Sequence, residues 1–371
     1  MGFQFIKTYN YRNLVNAQTN LPGETIFLVG DNGQGKTNFL ETVYCLCFGA
    51  PFRSRINSRL ICHGEKEMAL FGLLEMGPAC LNMAYKLGEK KQITVNDNVV
   101  LDRKDLLSHT PCILFCHEDI IFIKGSPEKK RWFLNQTLGL FNPLFLDELR
   151  TYNRILKIRS VCLREKNEDM LETLDVQMVC AGLKLMESRR TLIKEFSPFF
   201  GEYYRRITGE SFRNLKIIYK PSWPQGEESP SSPAGEAEKS SLLNLLKQKR
   251  QWDYYLGQSS TGPHRDNIKF LDGGREYAGE ASTGQLRLMS LILRIAQAGF
   301  YRQKTGKKPI LLLDDVLLEL DPQKRRQFVE SLPEYDQAFF TFLPGEKLLE
   351  TPRGKPFILK VKEGILKEGQ P

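Results

Sequence analysis

One stretch of eight residues, Gly30-Asp31-Asn32-Gly33-Gln34-Gly35-Lys36-Thr37, constrains this chain more than any other. Its spacing is G-x-x-x-x-G-K-[ST], and it stands in the setting that gives such a match meaning. Before it, Thr25-Ile26-Phe27-Leu28-Val29 is a continuous apolar run of the kind that forms a buried strand. After it, Asn38 to Phe48 reads as a helix. Strand, glycine-rich turn and helix together predict an α/β fold with a parallel sheet. Glycines let backbone N–H groups curl around phosphates, and a helix N-terminus adds partial positive charge. Lys36 is then expected to reach the β- and γ-phosphates of a nucleotide, and Thr37 to offer its hydroxyl to Mg²⁺.

A second constraint lies about 280 residues further on. Pro309-Ile310-Leu311-Leu312-Leu313-Asp314-Asp315 is an apolar run that ends in two carboxylates. It predicts another buried parallel strand, whose C-terminal end is where ligands bind in an open α/β sheet. Asp314 is the candidate for holding Mg²⁺, directly or through water, and Asp315 the candidate general base for an attacking water. A strand that merely ends in a polar turn is the bland alternative, and the phosphate loop argues against it. Between the two motifs, Ser282-Thr283-Gly284-Gln285 precedes a predicted helix from Leu286 to Tyr301, so Ser282 can cap a helix and form an anion site there. Phosphate loop, Ser-x-Gly-Gln, acidic strand, then Glu319-Leu320-Asp321 is the order of an ABC/SMC-type ATPase. In that class two heads dimerise, and each signature meets the γ-phosphate held by the other head. A compact GTPase or RecA-type core would keep the two nucleotide motifs much closer.

The segments between the motifs suggest how the chain is organised. Residues 1–125 read as alternating strands and short helices. Ser126-Pro127 opens a helical region rich in Leu, Arg, Lys and Glu that runs to about Arg206. Residues 221–241, rich in Pro, Ser, Gly and Glu, read as a mobile loop. The strand-and-helix pattern returns from about 261. The expected architecture is a head built from both chain ends, 1–125 and 255–371, with a helical lobe, 126–254, inserted between them.

Several stretches resemble the RecF family of SMC/ABC-type ATPases. The phosphate loop runs on into Asn38-Phe39-Leu40-Glu41 as that family's does, and Tyr11-Arg12-Asn13-Leu14 resembles its N-terminal segment that approaches the nucleotide. Phe52-Arg53-Ser54 resembles the loop after the first helix, and Gly125 to Leu134 the start of the helical lobe. Thr261-Gly262-Pro263-His264-Arg265-Asp266 and the Asp314-Asp315 pair are the most particular matches. Three positions depart from the family pattern: Asn135 and Asn267 stand where Asp is expected, and Phe342 where a second polar residue is expected after Thr341.

The resemblance implies a weak, DNA-stimulated ATPase that uses ATP and Mg²⁺. Its nucleotide contacts would include Arg12, Asn38, Ser282, Gly284 and Gln285. It would dimerise on ATP, bind single-strand/double-strand DNA junctions at gaps, and work with mediators of the RecO/RecR type to load RecA. His264 and Arg265 keep two readings, a buried brace or a role at the γ-phosphate or dimer interface.

Composition is compatible with this. The net charge of +9 makes an anionic partner plausible, and residues 126–254 hold 22 Lys/Arg against 17 Asp/Glu. Lys129-Lys130-Arg131, Arg189-Arg190, Arg205-Arg206 and Lys247-x-Lys249-Arg250 are candidate DNA-facing clusters, each also readable as a solvated helix face. The eight cysteines show no zinc-finger spacing and read as buried thiols of a reducing compartment. No signal peptide and no apolar run of membrane-spanning length is visible, so a soluble cytoplasmic protein is expected. The rivals are another single-head SMC-like ATPase, as in nuclease-coupled phage defence, a transporter ATPase, and a DNA-binding scaffold that holds nucleotide without splitting it.

Overall fold

The computed structural model describes residues 2–54, 56–209, 214–224, 235–318, 320–346 and 354–369. The chain divides into two compact units. One comprises residues 1–119, 206–209 and 287–371, the other residues 120–205 and 210–286. Both chain ends thus meet in the first unit. Its C-terminal part begins at Arg287, whereas the expected second segment of the head began at residue 255.

The first unit carries two six-stranded sheets. In the sheet that holds the nucleotide motifs, the strands run in the order Ile365–Glu368, Phe357–Lys362, Thr25–Val29, Gln337–Phe342, Ile310–Leu313, Cys112–Phe115. All neighbouring pairs are parallel except the final hairpin, which is antiparallel. Thr25–Val29 and Ile310–Leu313 are both interior strands. That is why their sequences are unbroken apolar runs rather than alternating ones. The helix Lys36–Phe48 follows the first of them and buries Phe39, Leu40, Val43 and Leu46. The second sheet is antiparallel throughout and includes Gly2–Tyr9, Met68–Met76 and Ala79–Leu87.

The C-terminal hairpin presses on the phosphate-loop region through glycines. A Cβ on Gly30 would lie 2.2 Å from the Val361 carbonyl oxygen, and one on Gly364 would lie 1.9 Å from that of Asn13. The Gly364 N–H donates to the Gln34 carbonyl at 2.9 Å. The first glycine of the phosphate loop is therefore required by a neighbouring strand of its own sheet.

The second unit contains the helices Pro127–Phe141, Pro143–Glu165, part of Glu168–Thr208, and Glu236–Leu256. It also has a three-stranded antiparallel sheet made of Leu215–Lys220, Asn267–Asp272 and Arg275–Glu276. This sheet explains why the strand pattern after residue 261 does not belong to the head. Asn267–Asp272 pairs with Leu215–Lys220, and periodicity shows a strand without showing its partner. The helix from Glu236 also begins inside the stretch read as a mobile loop. Glu236 and Glu238 in its first turn complement the helix N-terminus. Residues 225–234 of that stretch lie outside the described residues.

An ion-pair network closes the core of this unit. Arg159, fully buried, donates to Asp175 at 2.7 Å, to Asp253 at 2.8 Å and to Ser259 at 2.8 Å. Arg250 adds a second bond to Asp175 at 2.7 Å. All eight cysteines are free thiols, but only Cys45, Cys47, Cys112 and Cys162 are buried, while Cys80 and Cys180 are exposed. Among the described residues, no helix is long and apolar enough to cross a membrane.

Arg159→Met keeps the volume and leaves buried Asp253 without a cation. We expect a loss of about 3–5 kcal/mol, because one partner of a buried pair is removed and the other remains. Urea unfolding would show it as a lowered midpoint, and an unchanged midpoint would mean that the network adds no stability.

Candidate nucleotide site

The phosphate loop, the acidic strand and the strand between them meet at the C-terminal edge of the parallel sheet. Gly33 and Gly35 have φ of 79° and 116°, which a side chain would oppose, and Gly35 caps the helix that starts at Lys36. Lys36 is buried, with its ammonium folded back onto the loop. It donates to the carbonyls of Gly30 at 2.7 Å and Asp31 at 3.2 Å. A cleft of about 140 Å³ opens here, lined by loop residues together with Thr37, Asn38, Arg53 and Asp315.

The two carboxylates are held differently. Asp314 Oδ1 accepts a hydrogen bond from the Thr37 hydroxyl at 2.7 Å, and its backbone N–H donates to the Phe115 carbonyl at 3.0 Å. Burial pushes the Asp314 carboxyl up to about 6, opposed by the Thr37 hydrogen bond and reinforced by the charge of Asp315. Asp315 takes a left-handed backbone conformation, φ 52°, uncommon for a residue with a side chain. Thr341, on the intervening strand, holds it there. Its hydroxyl accepts the Asp315 N–H at 2.7 Å and donates to Asp315 Oδ1 at 2.7 Å.

A hydroxyl beside a carboxylate is a hard-oxygen donor set that suits Mg²⁺. Among the described residues no group of three or more His, Cys, Asp or Glu side chains could hold a metal ion. Thr37 and Asp314 would therefore share a Mg²⁺ ion with phosphate oxygens and water, the usual mode for this ion.

Other expected contacts have partners within the protein. Arg12 is in ion-pair contact with fully buried Glu41, Nε to Oε2 2.6 Å, and does not line the cleft. Gln34 accepts the Glu363 N–H at 2.6 Å through its side chain. Asn38 is bonded to Asn13 and Arg53. Sequence reasoning did not single out Glu41, Arg53 or Thr341 as site residues. Glu41 gathers the Tyr11 hydroxyl at 3.0 Å, Arg12, and the Arg53 backbone N–H at 3.3 Å. A carboxylate within the apolar run of the first helix was the available signal for it.

Of the departures, Phe342 is buried edge-on against Phe27 at 4.7 Å, so the polar role at this strand end falls to Thr341. Asp321 caps the helix Pro322–Glu330 by accepting the Lys324 N–H at 2.9 Å, while Glu319 lies outside the described residues.

The Ser282–Gln285 turn belongs to the second unit and opens the helix Thr283–Thr305. Ser282 Oγ accepts the Gln285 N–H at 3.3 Å, and Gln285 Oε1 accepts the Ser282 N–H at 2.9 Å. This reciprocal capping box fixes a helix N-terminus whose first residues, Ser282, Thr283 and Gly284, are exposed. Further along the same helix, Arg294 makes a buried bidentate pair with Asp119 at 2.8 and 3.0 Å, both within the first unit.

In the second unit, His264 lies between the Tyr152 hydroxyl at 2.8 Å and the Ser259 carbonyl at 3.0 Å. Burial lowers its pKa to about 4, so the ring is neutral at pH 7. Facing a carbonyl, Nε2 must carry the proton, and Nδ1 accepts from Tyr152. Asp266, also buried, is bonded to Arg189 at 2.9 Å and to the Ser222 N–H at 2.8 Å. Asn135 accepts from the same guanidinium at 3.1 and 3.2 Å, so this departure keeps the acceptor without its charge. Asn267 is turned onto the N–H of Ile268 at 2.8 Å.

Many of the cations read as DNA-facing have partners in the fold. Lys130 pairs with Glu276, Arg131 donates to the Asp266 carbonyl, Arg190 bonds Glu187, and Arg250 bonds Asp175. Arg205 and Lys249 are exposed.

This architecture is that of an SMC-type ATPase head. The family model of the RecF/RecN/SMC N terminal domain matches residues 3–348. A protein of Treponema pallidum described as DNA replication and repair protein RecF is 39% identical over 97% of this chain and 99% of its own length. One of the same description from Streptococcus uberis is 33% identical over 99% of this chain and 100% of its own. A solved structure of the recombination mediator protein RecF with ATP, from the RecFOR pathway, is 26% identical with a TM-score of 0.88, covering 100% of this chain and 98% of the other. The Smc head domain of Pyrococcus furiosus, at 14% identity and a TM-score of 0.57 over 99% of this chain and 96% of its own, shares the fold. The chain belongs to the RecF family.

The raised pKa of Asp314 makes a testable mark on stability. Its folded value of about 6 lies above the ordinary 3.8, so its contribution is full below about 3.8 and is lost as pH rises through about 6. In nucleotide-free protein, Asp314→Asn should gain stability relative to wild type between pH 4 and pH 7, measured by urea unfolding. A difference that stays constant over that range would rule out a buried, proton-retaining Asp314.

Proposed function

We propose that this chain is a slow, DNA-stimulated ATPase whose nucleotide state governs dimerisation on DNA, and that it serves recombinational repair at single-strand/double-strand gap junctions. The observation that carries the nucleotide half of this reading is the Thr37–Asp314 hydrogen bond of 2.7 Å, which joins phosphate loop and acidic strand in one constellation. The ATP-bound RecF structure, similar over the whole chain, supports ATP as the nucleotide. The repair role rests on the shared family, whose relatives carry the description DNA replication and repair protein.

The loop N–H groups and Lys36 would bind the phosphates, with Lys36 exchanging its two carbonyl acceptors for phosphate oxygens. Mg²⁺, held by Thr37 and Asp314 when bound, would neutralise phosphate charge. Asp315 would take the proton of the attacking water. Thr341 orients Asp315, so the base is held before substrate arrives. Ser282 and the exposed helix N-terminus behind it would meet the γ-phosphate held by a second copy, which makes ATP a timing switch for the dimer. At a gap the dimer would assist mediators of the RecO/RecR type in loading RecA.

Asp315→Asn keeps shape and loses the base. ATP should still bind and the dimer should persist, while turnover falls by a factor on the order of 10² or more. Steady-state phosphate release with and without gapped DNA measures it. Turnover near wild type would move the base to another residue, with Glu118, whose charge acts on the Asp314 carboxyl, the first to test.

Ser282→Arg tests the trans arrangement, because it puts a bulky cation where a small hydroxyl should meet the partner's phosphate. The variant should bind ATP almost normally, fail to dimerise with ATP and Mg²⁺ in sedimentation, and lose ATP-dependent retention on gapped DNA. Wild-type dimerisation by the variant, or a wild type that stays monomeric with DNA present, would exclude the signature from dimer assembly.

A further inference from the structure

The helix Glu236–Leu256 ends in two aromatic side chains that the fold leaves uncovered. Trp252 is 55% exposed and Tyr255 79% exposed. Their rings stack at 5.3 Å with an interplanar angle of 25°. Large aromatic rings in water are costly, and a stacked, exposed pair offers a flat apolar platform with a polar rim. Trp132 is exposed to a similar extent, at 47%, but its ring lies on Phe122 at 5.4 Å and so covers the core of its own unit. Among the described residues, the ring contact of Trp252 is with Tyr255, which is itself largely exposed.

The opposite face of this helix is fixed. Leu242, Leu246 and Asp253 are buried, Asp253 accepts from Arg159, and Arg250 is tied to Asp175. The aromatics are therefore presented on a rigid element, which lowers the entropy lost when a flat ligand settles on them. The local charge selects the ligand. Of the cations on this helix, Lys239 pairs with Glu236, Lys247 lies 3.7 Å from Glu172 and Arg250 bonds Asp175, while the carboxylate nearest the aromatics in sequence, Asp253, is buried and paired. Lys249, exposed, precedes Trp252 by three residues and shares its side of the helix. Beyond the helix, exposed Arg164 packs next to Gly257. An aromatic step flanked by cations fits a base with its phosphates better than it fits an apolar peptide.

We propose that Trp252 and Tyr255 form a stacking platform for unpaired bases of single-stranded DNA. The inference rests on the reading of this chain as a DNA-binding protein and adds the means by which it would detect the unpaired side of a junction. Duplex DNA keeps its bases stacked on one another and offers this platform nothing. A single strand can place a base on Trp252, an interaction that tolerates any sequence. The contact also suits a unit in which many cations are already bound by their own carboxylates and carbonyls, because stacking needs few free charges.

The test uses the full chain with ATP and Mg²⁺, a fluorescently labelled duplex with a short oligo-dT gap, and the matched intact duplex. Trp252→Ala should weaken binding of the gapped DNA about tenfold or more. It should leave intact-duplex affinity unchanged and the slope of affinity against salt the same, since no phosphate contact is removed. Trp252→Phe, which keeps a ring, should restore most of the loss. The proposal is overturned if Trp252→Ala and wild type bind gapped DNA equally, or if gapped and intact duplex weaken alike. Lost self-association with unchanged gapped-DNA binding would assign the patch to protein contact and also overturn it. A wild type that binds neither DNA brings down the parent reading as well. One that binds both, with no effect at Trp252, brings down the stacking inference alone.

Discussion

Two side chains 277 residues apart in the chain, Thr37 and Asp314, share a hydrogen bond of 2.7 Å. That contact depends on strand order. Thr25–Val29 delivers the phosphate loop, Ile310–Leu313 delivers the carboxylates, and Gln337–Phe342 lies between them with Thr341 at its end. All three run parallel, so their C-terminal ends open on the same edge. Asp314 faces the loop hydroxyl while Asp315 is caught by Thr341 in a left-handed backbone, so adjacent residues are directed to different partners. Regular strand alternation alone would not give that pair of hydrogen bonds. The turn after the strand, strained at Asp315, does.

The supports around this edge are largely apolar or internally neutralised. Glu41, fully buried, is balanced by Arg12 and by hydrogen bonds from Tyr11 and Arg53. Arg294 and Asp119 satisfy each other within the same unit. Arg159 plays the equivalent part in the other unit with Asp175 and Asp253. Each pair is costly to break singly, because a lone buried charge has no water to solvate it. Charges placed this way hold segments far apart in sequence and are not free to bind ligands. The same accounting makes the lobe's net positive charge a poor guide to a DNA surface. Lys130, Arg131, Arg189 and Arg250 are spent on the fold, and a reading from charge clusters counts them as surface.

Much of the site was legible in the chain because short-range rules govern it. A glycine-rich turn between an apolar strand and a helix has few geometries, and the apolar run before Asp314 could only be an interior strand. The motif order suggested a head built from both chain ends, and the family match over residues 3–348 agrees with that fold class. Roles that depend on a distant partner were harder to read. Arg12 was expected at the nucleotide and is turned onto Glu41, while Arg53 lines the cleft. Phe342 looked like a missing polar group, yet its neighbour Thr341 already holds Asp315.

By itself, then, the sequence determined the strand–loop–helix of the phosphate loop, the apolar strand beneath Asp314 and the capped start of the helix at Ser282. Each is set by backbone preferences and burial within a dozen residues. Tertiary structure decided which strand separates the two nucleotide motifs and that Asn267–Asp272 pairs with Leu215–Lys220 outside the head. It also decided which arginines are consumed by buried carboxylates and which aromatic rings are left uncovered. Those outcomes depend on partners tens to hundreds of residues away. Hydrogen-bond pairing and charge burial are properties of a pair, and one member's local sequence does not contain the other.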